Sequence, residues 1–178
     1  MKREQSSLYR EPRTLELLQL KEDSSDVDHV VKGSLSSRSM CFPIVDGIPI
    51  FLDVAELSVS EEVNVNRDYY QAVGDVYDKG MDWLFSSFFE DEERTRARMV
   101  DLLECKPDAR VLETGCGTCR DSTEIRSRLG PEGELFVADL SVNMLQAGRQ
   151  RLENLDEPDE AASLEFLVAD AEHLPFGD

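Results

Sequence analysis

The sequence has no long apolar run, no excess of positive charge and no paired framework of cysteines, and each absence excludes a class of protein. No apolar segment approaches the roughly 20 residues that a membrane-spanning helix needs, and residues 1–10 carry charges where a secretory signal would be apolar. Its 19 basic residues are outnumbered by 38 acidic ones, and the net charge of -19 repels nucleic-acid phosphates and anionic lipid. The four cysteines do not form the paired framework of a secreted mini-protein. We therefore expect a cytoplasmic protein that binds neither nucleic acid nor membranes.

Composition and pattern divide the chain into a small β-rich module, residues 1–55, an acidic linker, residues 56–67, and a larger α/β region, residues 68–178. In the module, Asp46-Gly47 is a strong hairpin-turn signal between two apolar runs. Pro43 and Pro49 predict that these runs are edge strands, because proline cannot donate to a neighbouring strand. Residues 1–30 are polar and weakly patterned, and their leucines predict one short strand or helix.

The larger region alternates strands with helices, which is typical of a parallel α/β sheet with flanking helices. Its aromatic-rich beginning, residues 68–89, is expected to pack over the edge of that sheet. The predicted strands are residues 110–113, 134–138 and 164–169, and the predicted helices are residues 90–104, residues 119–129 and a third helix that begins after Ser141.

The segment with the clearest chemical meaning is Val111-Leu-Glu-Thr-Gly-Cys-Gly-Thr-Cys119, a strand that enters a glycine turn and then a helix. Gly115 and Gly117 allow a tight turn and close approach of a ligand to the backbone. The helix that follows presents free amides at its start.

Three carboxylates fall into register with this turn. Asp139 ends the next strand, at the position where an acidic residue accepts hydrogen bonds from ribose hydroxyls. Asp170 follows the third strand, where a carboxylate accepts from the exocyclic amine of an adenine. Glu113 directly precedes the glycine turn, where it attracts a cation such as the sulfonium or ammonium of S-adenosylmethionine and repels the pyrophosphate of a dinucleotide.

These motifs resemble the first three motifs of class I, Rossmann-like methyltransferases, in order. Asp170-Ala-Glu-His-Leu-Pro-Phe176 is similar to the third motif of the C-methyltransferases of ubiquinone and menaquinone biosynthesis and of their small-molecule relatives. The resemblance covers roughly residues 68–178 and implies methyl transfer from S-adenosylmethionine to a small-molecule acceptor. The cofactor-binding residues that it implies run from the methionine end to the adenine end and include a capping tyrosine: Glu113, Gly115, Cys116, Gly117, Asp139, Leu140, Asp170, Ala171 and Tyr77.

The N-terminal module has a second resemblance. Gly33-Ser-Leu35 and Phe42-Pro-Ile-Val-Asp-Gly-Ile-Pro49 are similar to the end of zinc-ribbon-like domains found in activators of tRNA methyltransferases and ahead of some methyltransferases. Those domains hold zinc through paired cysteines, but serines and an arginine occupy residues 36–39 here, and Cys41 stands alone. Because a structural zinc needs four ligands, we expect a degenerate module without metal.

Two other functions compete with methyl transfer. Cys116-Gly-Thr-Cys119 at the start of a helix is also the arrangement of a thiol–disulfide oxidoreductase. A cofactor-binding remnant or interaction module without activity is the second alternative. Within the methyltransferase motif Cys119 is a departure, because glycine is expected there, and its side chain is expected to narrow the pocket.

The sequence contains three strands of the seven that such a sheet usually has. The predicted strand 110–113 therefore lacks the neighbour that normally lies on its other side, and an unpaired apolar edge promotes association. We expect a C-terminally incomplete sheet that pairs with a complementary chain or with a second copy. Catalytic residues usually come from the later strands, and the sequence names none.

Overall fold

The computed structural model describes residues 1–52, 69, 76–89, 91–154 and 161–177. The expected alternation of strands and helices is present in this part of the chain, and the prediction of an α/β, Rossmann-like fold with a parallel sheet is confirmed. The proposed linker, residues 56–67, lies outside the described residues, so the domain boundaries stay a prediction. No helix among the described residues is both long enough and apolar enough to cross a bilayer.

The N-terminal module is a four-stranded antiparallel sheet in the order β1-β2-β3-β4. Its elements are a 3-10 helix, Glu4–Leu8, followed by β1, Gln19–Asp26, β2, His29–Ser36, β3, Cys41–Val45, and β4, Ile48–Pro49. The turn between β3 and β4 places Asp46 at φ 51° and Gly47 at φ 77°. Two consecutive positive φ angles are those of the tight hairpin turn that Asp-Gly favours, so the predicted hairpin is confirmed.

The expectation of one short element in residues 1–30 was wrong. β1 is eight residues long, and nearly all of its side chains are exposed. This strand therefore carries little of the apolar alternation that reveals a half-buried strand. Antiparallel pairing with β2, from Gln19 opposite Ser36 to Asp26 opposite His29, holds it in place.

The prediction that Pro43 lies in an edge strand was also wrong, because β3 has β2 on one side and β4 on the other. The Pro43 carbonyl accepts from the backbone amide of Ile50 at 2.9 Å. In a strand, the amide and carbonyl of one residue point to the same side, so the missing proline donor also faces β4. β4 is only two residues long, so the sheet loses a single hydrogen bond at its margin. Pro49 lies in β4, at the edge of this sheet as predicted.

The second sheet consists of three parallel strands in the order β5-β6-β7. In chain order the elements are α1, Glu92–Asp101, β5, Arg110–Thr114, α2, Arg120–Arg128, β6, Glu134–Asp139, α3, Val142–Glu153, and β7, Ser163–Val168. Asp91 caps α1 by accepting from the amide of Arg94, and Ser141 caps α3 by accepting from the amide of Met144.

The two faces of this sheet are covered in different ways. Leu135, Val137 and Phe166 pack on the face where the helices lie. Phe136, Ala138 and Leu167 pack on the opposite face, against the N-terminal module. The module is also joined to the sheet through the backbone, since the amide of Phe51 donates to the carbonyl of Val168 at 2.8 Å. The module thus occupies a face that helices cover in a doubly wound fold.

A further helix, residues 76–87, precedes α1 and is named the cap helix here. The prediction that the aromatic residues of the segment 68–89 pack over the sheet edge was wrong for three of them, one in this helix and two directly after it. Trp83 is 69% exposed, Phe88 70% and Phe89 98%. Phe85 lies beneath the guanidinium of Arg96, at 5.8 Å from ring centre to charge.

Tyr9 generates a testable prediction about the face that the module covers. Its ring is fully buried, 5.0 Å from that of Phe51 and 5.5 Å from that of Phe176. Its buried hydroxyl has no hydrogen-bond partner among the residues that the structure describes. We expect Tyr9→Phe to raise the free energy of unfolding by about 1 kcal/mol, because it removes an unsatisfied polar group. Tyr9→Ala should lower it by about 3–5 kcal/mol. Urea unfolding measures both, and a destabilised Tyr9→Phe protein would show that the hydroxyl has a partner.

Candidate functional site

The carboxyl ends of β5, β6 and β7 meet at one edge of the parallel sheet, where open α/β sheets bind their ligands. A cavity of about 380 Å³ opens there, below the cap helix. We call it the glycine-loop cavity. Its lining comes from the cap helix and from the turn after each strand: Tyr77, Gly115, Gly117, Asp139, Leu140, Ser141, Met144, Ala169, Asp170 and Ala171.

The turn after β5, residues 115–119, forms one wall and is called the glycine loop. Gly115 has φ +67° and Gly117 has φ +54°, in the left-handed region that residues with a Cβ rarely adopt. A Cβ on Gly115 would meet no atom within 4 Å. The backbone conformation therefore favours glycine here, and the space beside it is open to a ligand.

Asp139 ends β6 and fixes the loop. Its Oδ2 accepts from the Gly117 amide at 2.8 Å, and its Oδ1 accepts from the Ser141 amide at 2.9 Å. Burial raises the pKa of this carboxyl above its usual value, although the backbone hydrogen bonds oppose the shift. The Leu140 amide also donates to this carboxylate. Because a carboxylate accepts about four hydrogen bonds, Asp139 can hold the loop and still accept from a hydroxyl in the cavity.

Asp170 lies in the turn after β7. One of its oxygens accepts from the Glu172 amide at 3.0 Å, and the other is 3.3 Å from His173 Nδ1. The side-chain ligand atoms of these three residues all lie within 4.8 Å of one another, which a metal ion would also require. The hydrogen bonds within this exposed turn account for their proximity. We assign them no metal.

Glu113 and Cys116 were predicted to contact the cofactor, and neither is among the residues that line the cavity. Glu113 points toward α2, where it accepts from the Ser122 hydroxyl at 2.6 Å. Burial raises the pKa of Glu113 to about 7. Cys116 belongs to the glycine loop, but its side chain is buried in the core. Their roles in binding stay predictions.

Cys119 has φ 59°, so it adopts the conformation that favours the glycine expected at this motif position. Its side chain is fully buried against Gly148 of α3, where an added Cβ would overlap the sulfur. The missing side chain at Gly148 therefore makes room for the thiol. Cys119 does not line the cavity, and the expected narrowing is absent from the described lining.

The thiols of Cys116 and Cys119 also test the alternative function as a thiol–disulfide oxidoreductase. A hydrogen bond with Cys119, together with burial, raises the pKa of the Cys116 thiol well above its usual range. A redox-active cysteine needs the opposite shift, because the thiolate is the nucleophile. The thiol–disulfide alternative therefore lacks electrostatic support.

Several residues at the site were not predicted. Ser141, Met144 and Ala169 line the cavity, and their signal was their position within or beside the motifs. Arg120 and Arg151 bind Asp78, which neighbours Tyr77 on the cap helix. No local sequence pattern predicts these contacts, because Asp78 lies 42 residues from Arg120 and 73 residues from Arg151.

A model of the ubiE/COQ5 methyltransferase family matches residues 57–178. The chain belongs to this family. It is 34% identical over 132 residues to the ubiquinone/menaquinone biosynthesis C-methyltransferase UbiE of Ectopseudomonas mendocina (strain ymp), covering 72% of this chain and 46% of that protein. It is 29% identical over 119 residues to the demethylmenaquinone methyltransferase of Bacillus mycoides (strain KBAB4), covering 67% of this chain and 47% of that protein. The chain spans about half the length of these curated relatives.

Two solved structures are also similar. A TehB-like SAM-dependent methyltransferase from Corynebacterium glutamicum has a TM-score of 0.38 and 16% identity, with 56% of this chain and 46% of that one covered. A complex between the Haloferax volcanii Trm112 methyltransferase activator and a methyltransferase gives a TM-score of 0.41 and 24% identity, with coverages of 61% and 42%. Membership of the ubiE/COQ5 family confirms the predicted methyltransferase lineage and, with it, S-adenosylmethionine as the cofactor of that lineage. The resemblance of the N-terminal module to zinc ribbons stays a prediction.

The raised pKa of Glu113 predicts how stability depends on pH. The value is about 7 in the folded protein, against an ordinary 4.5. Between these two values the folded chain keeps a proton that the unfolded chain has released, so the free energy of unfolding falls as pH rises from 4.5 to 7. We expect Glu113→Gln to be more stable than the parent at pH 8, by roughly 3 kcal/mol at most, and about equally stable at pH 5.

Urea unfolding at the two pH values measures this difference. Glu93→Gln, which changes an exposed carboxylate on α1, serves as the control and should match the parent at both. A constant difference between Glu113→Gln and the parent across this range would contradict the shifted pKa.

Proposed function

We propose that this chain forms the S-adenosylmethionine-binding half of a methyltransferase that acts on a small molecule. The observation that carries the proposal is the charge of the glycine-loop cavity. Two carboxylates, Asp139 and Asp170, line it, and among the described residues that surround it none is lysine or arginine. Such a lining suits a cationic ligand with ribose hydroxyls and suits the pyrophosphate of a dinucleotide poorly.

The residues at this edge fit the parts of S-adenosylmethionine in chain order. The open space beside Gly115 accommodates the methionine end, Asp139 accepts from the ribose hydroxyls, and Asp170 with Ala171 borders the adenine. Tyr77 covers the cavity from the cap helix. When bound, the cofactor supplies a methyl group already activated by its sulfonium, so the protein contributes mainly position. We propose that Glu113, at the end of β5, contributes by electrostatic attraction of the positively charged end of the cofactor.

The acceptor is proposed to be a small molecule of the kind that the relatives' names describe, in ubiquinone and menaquinone biosynthesis. We also propose a cytoplasmic location, which the acidic composition and unpaired cysteines favour. A cofactor-binding module without activity is the remaining alternative. Because the chain spans about half the length of its curated relatives, methyl transfer is proposed for a protein that also includes the remaining part.

Calorimetric titration with S-adenosylhomocysteine tests the proposal. The parent chain should bind S-adenosylhomocysteine and should not bind NAD⁺. Asp139→Ala should weaken the binding by roughly 1–3 kcal/mol, the range for hydrogen bonds to a charged group. Asp108→Ala, a change at an exposed aspartate before β5, should bind like the parent. Unchanged affinity in a folded Asp139→Ala protein would remove Asp139 from the site, and binding of NAD⁺ alone would overturn the proposal.

The free edge of β5 supports a proposal about assembly. Among the described strands β5 pairs only with β6. Beside it lies a groove of about 350 Å³ that Leu112, Phe136 and Phe176 help to line, and Leu112 is 36% exposed. An exposed edge with an apolar groove favours addition of a strand. We propose that a complementary chain carrying the part of the relatives that this chain does not cover, or a second copy, binds here.

Light scattering after size-exclusion chromatography checks this assembly. The parent chain should self-associate as its concentration rises. Leu112→Lys should stay monomeric, because a charge on an edge strand opposes pairing. Val27→Lys replaces an apolar residue that is 83% exposed in the N-terminal module, and it should associate like the parent. The proposal would be contradicted by a parent chain that stays monomeric at high concentration and does not bind an added chain made from the part of the relatives that it does not cover.

A further inference from the structure

The cap helix is tied to the rest of the molecule through one carboxylate. Asp78 Oδ1 accepts from the Thr118 hydroxyl at 2.6 Å and from Arg120 Nε at 2.9 Å. Asp78 Oδ2 accepts from the guanidinium of Arg151. The three donors belong to the glycine loop, the first turn of α2 and the last turn of α3. A single side chain of the cap helix therefore contacts three elements that surround the glycine-loop cavity.

Arg120 extends this contact into a network of charges. It donates to Asp82 of the cap helix at 2.8 Å and to Glu92 of α1 at 2.6 Å. Glu92 also binds Arg96, which in turn binds Asp121 of α2, each at 2.7 Å. The Arg120 side chain is only 12% exposed. Salt screens such partly buried pairs less than it screens an ordinary surface ion pair.

Apolar burial supports the cap helix only in part. Val76 is 57% exposed, Trp83 69% and Leu84 41%, whereas Tyr77, Met81 and Phe85 are half-buried. The side chains that stay in solvent gain little from the hydrophobic effect. Among the described residues, the ionic contacts of Asp78 and Arg120 therefore provide a second attachment of this helix over the cavity.

The electrostatics of Asp78 agree with this geometry. Burial alone would raise the pKa of its carboxyl. The hydrogen bonds from Thr118 and Arg120 and the positive charges of Arg120 and Arg151 outweigh burial, so the pKa lies below its usual range. The carboxylate thus remains charged and keeps its partners at neutral pH.

We propose that Asp78 is a positioning residue whose contacts with Thr118, Arg120 and Arg151 hold the cap helix closed, so that Tyr77 covers the glycine-loop cavity. The cap helix opens as a unit when this carboxylate loses its charge. Because Thr118 belongs to the glycine loop, a ligand that orders the loop also stabilises the closed cap. By linkage, closing the cap strengthens binding by the same factor. The part of this inference that concerns ligand affinity rests on the proposed function; the ionic attachment of the cap does not.

Hydrogen–deuterium exchange of the 178-residue chain, followed by mass spectrometry, measures cap opening without any ligand. In Asp78→Asn the amides of residues 76–87 should exchange at least about tenfold faster than in the parent, the scale expected for loss of hydrogen bonds to a charged group. The amides of β6 should keep their protection, which shows that the fold is intact. Asp78→Glu keeps the charge and should recover part of the slow exchange.

Asp101→Asn is the matched control. It also removes an aspartate that pairs with an arginine, Arg128, at 2.8 Å, but this pair lies outside the network. Its cap helix should exchange like that of the parent. Equal exchange of the cap helix in Asp78→Asn, Asp101→Asn and the parent would overturn the ionic attachment. If Asp78→Asn lost protection throughout the chain, Asp78→Glu would provide the test. In that variant, exchange of the cap helix must be faster than in the parent and slower than in Asp78→Asn.

Titration with S-adenosylhomocysteine then tests the coupling. The affinity of Asp78→Asn should fall at least about tenfold, and the ligand should slow exchange of the cap helix in the parent. Emission of Trp83, the only tryptophan in the chain, should shift on binding in the parent and much less in Asp78→Asn. Faster cap exchange with unchanged affinity would overturn the link between Asp78 and the cavity. A parent that binds no ligand would instead refute the proposed function, and the exchange result would still decide the role of Asp78.

Discussion

Two backbone amides from different turns converge on the carboxylate of Asp139. One belongs to Gly117 in the glycine loop and the other to Ser141 at the start of α3. The loop after β5 and the helix after β6 are thereby fixed to each other at the point where the sheet opens. The positive φ angles of Gly115 and Gly117 persist because this anchor holds the turn. The cavity, the capping of α3 and the path of the chain into α2 all depend on the same carboxylate. Binding and folding therefore use one group, and a change at Asp139 affects both.

Much of the α/β region could be predicted because its signals are local. β6 carries the buried run Leu135–Ala138 between turn residues, α3 begins at a serine cap, and the glycine turn stands in register with Asp139. β1 could not be predicted, because a polar strand held by its neighbour has no apolar period. The side-chain direction of Glu113 was also out of reach, since β5 presents alternate residues to opposite faces and only packing shows which face α2 covers. The contacts of Asp78 join residues distant in sequence, and no motif describes them.

The acidic composition did not predict where individual charges lie in the structure. A net charge of -19 describes the surface as a whole. Some of the arginines neutralise partly buried carboxylates, as Arg120 does between Asp78 and Glu92. The described lining of the glycine-loop cavity holds no basic residue, so its negative character is preserved. The basic residues thus shape the framework of the site and stay out of the binding space itself.

Cys119 and Gly148 form a pair whose members depend on each other. The left-handed backbone at Cys119 costs about 1–2 kcal/mol that glycine would not incur, and the buried thiol fits only because Gly148 has no side chain. Their effects on fitness are consequently epistatic. A lineage carrying a larger residue at 148 could not acquire the cysteine, whereas one with glycine at both positions could acquire it in one step. The reverse path is ordered as well, because a larger side chain fits at position 148 only after position 119 has returned to glycine. Where relatives differ at these two positions, the combination of a large residue at 148 with cysteine at 119 should therefore be missing.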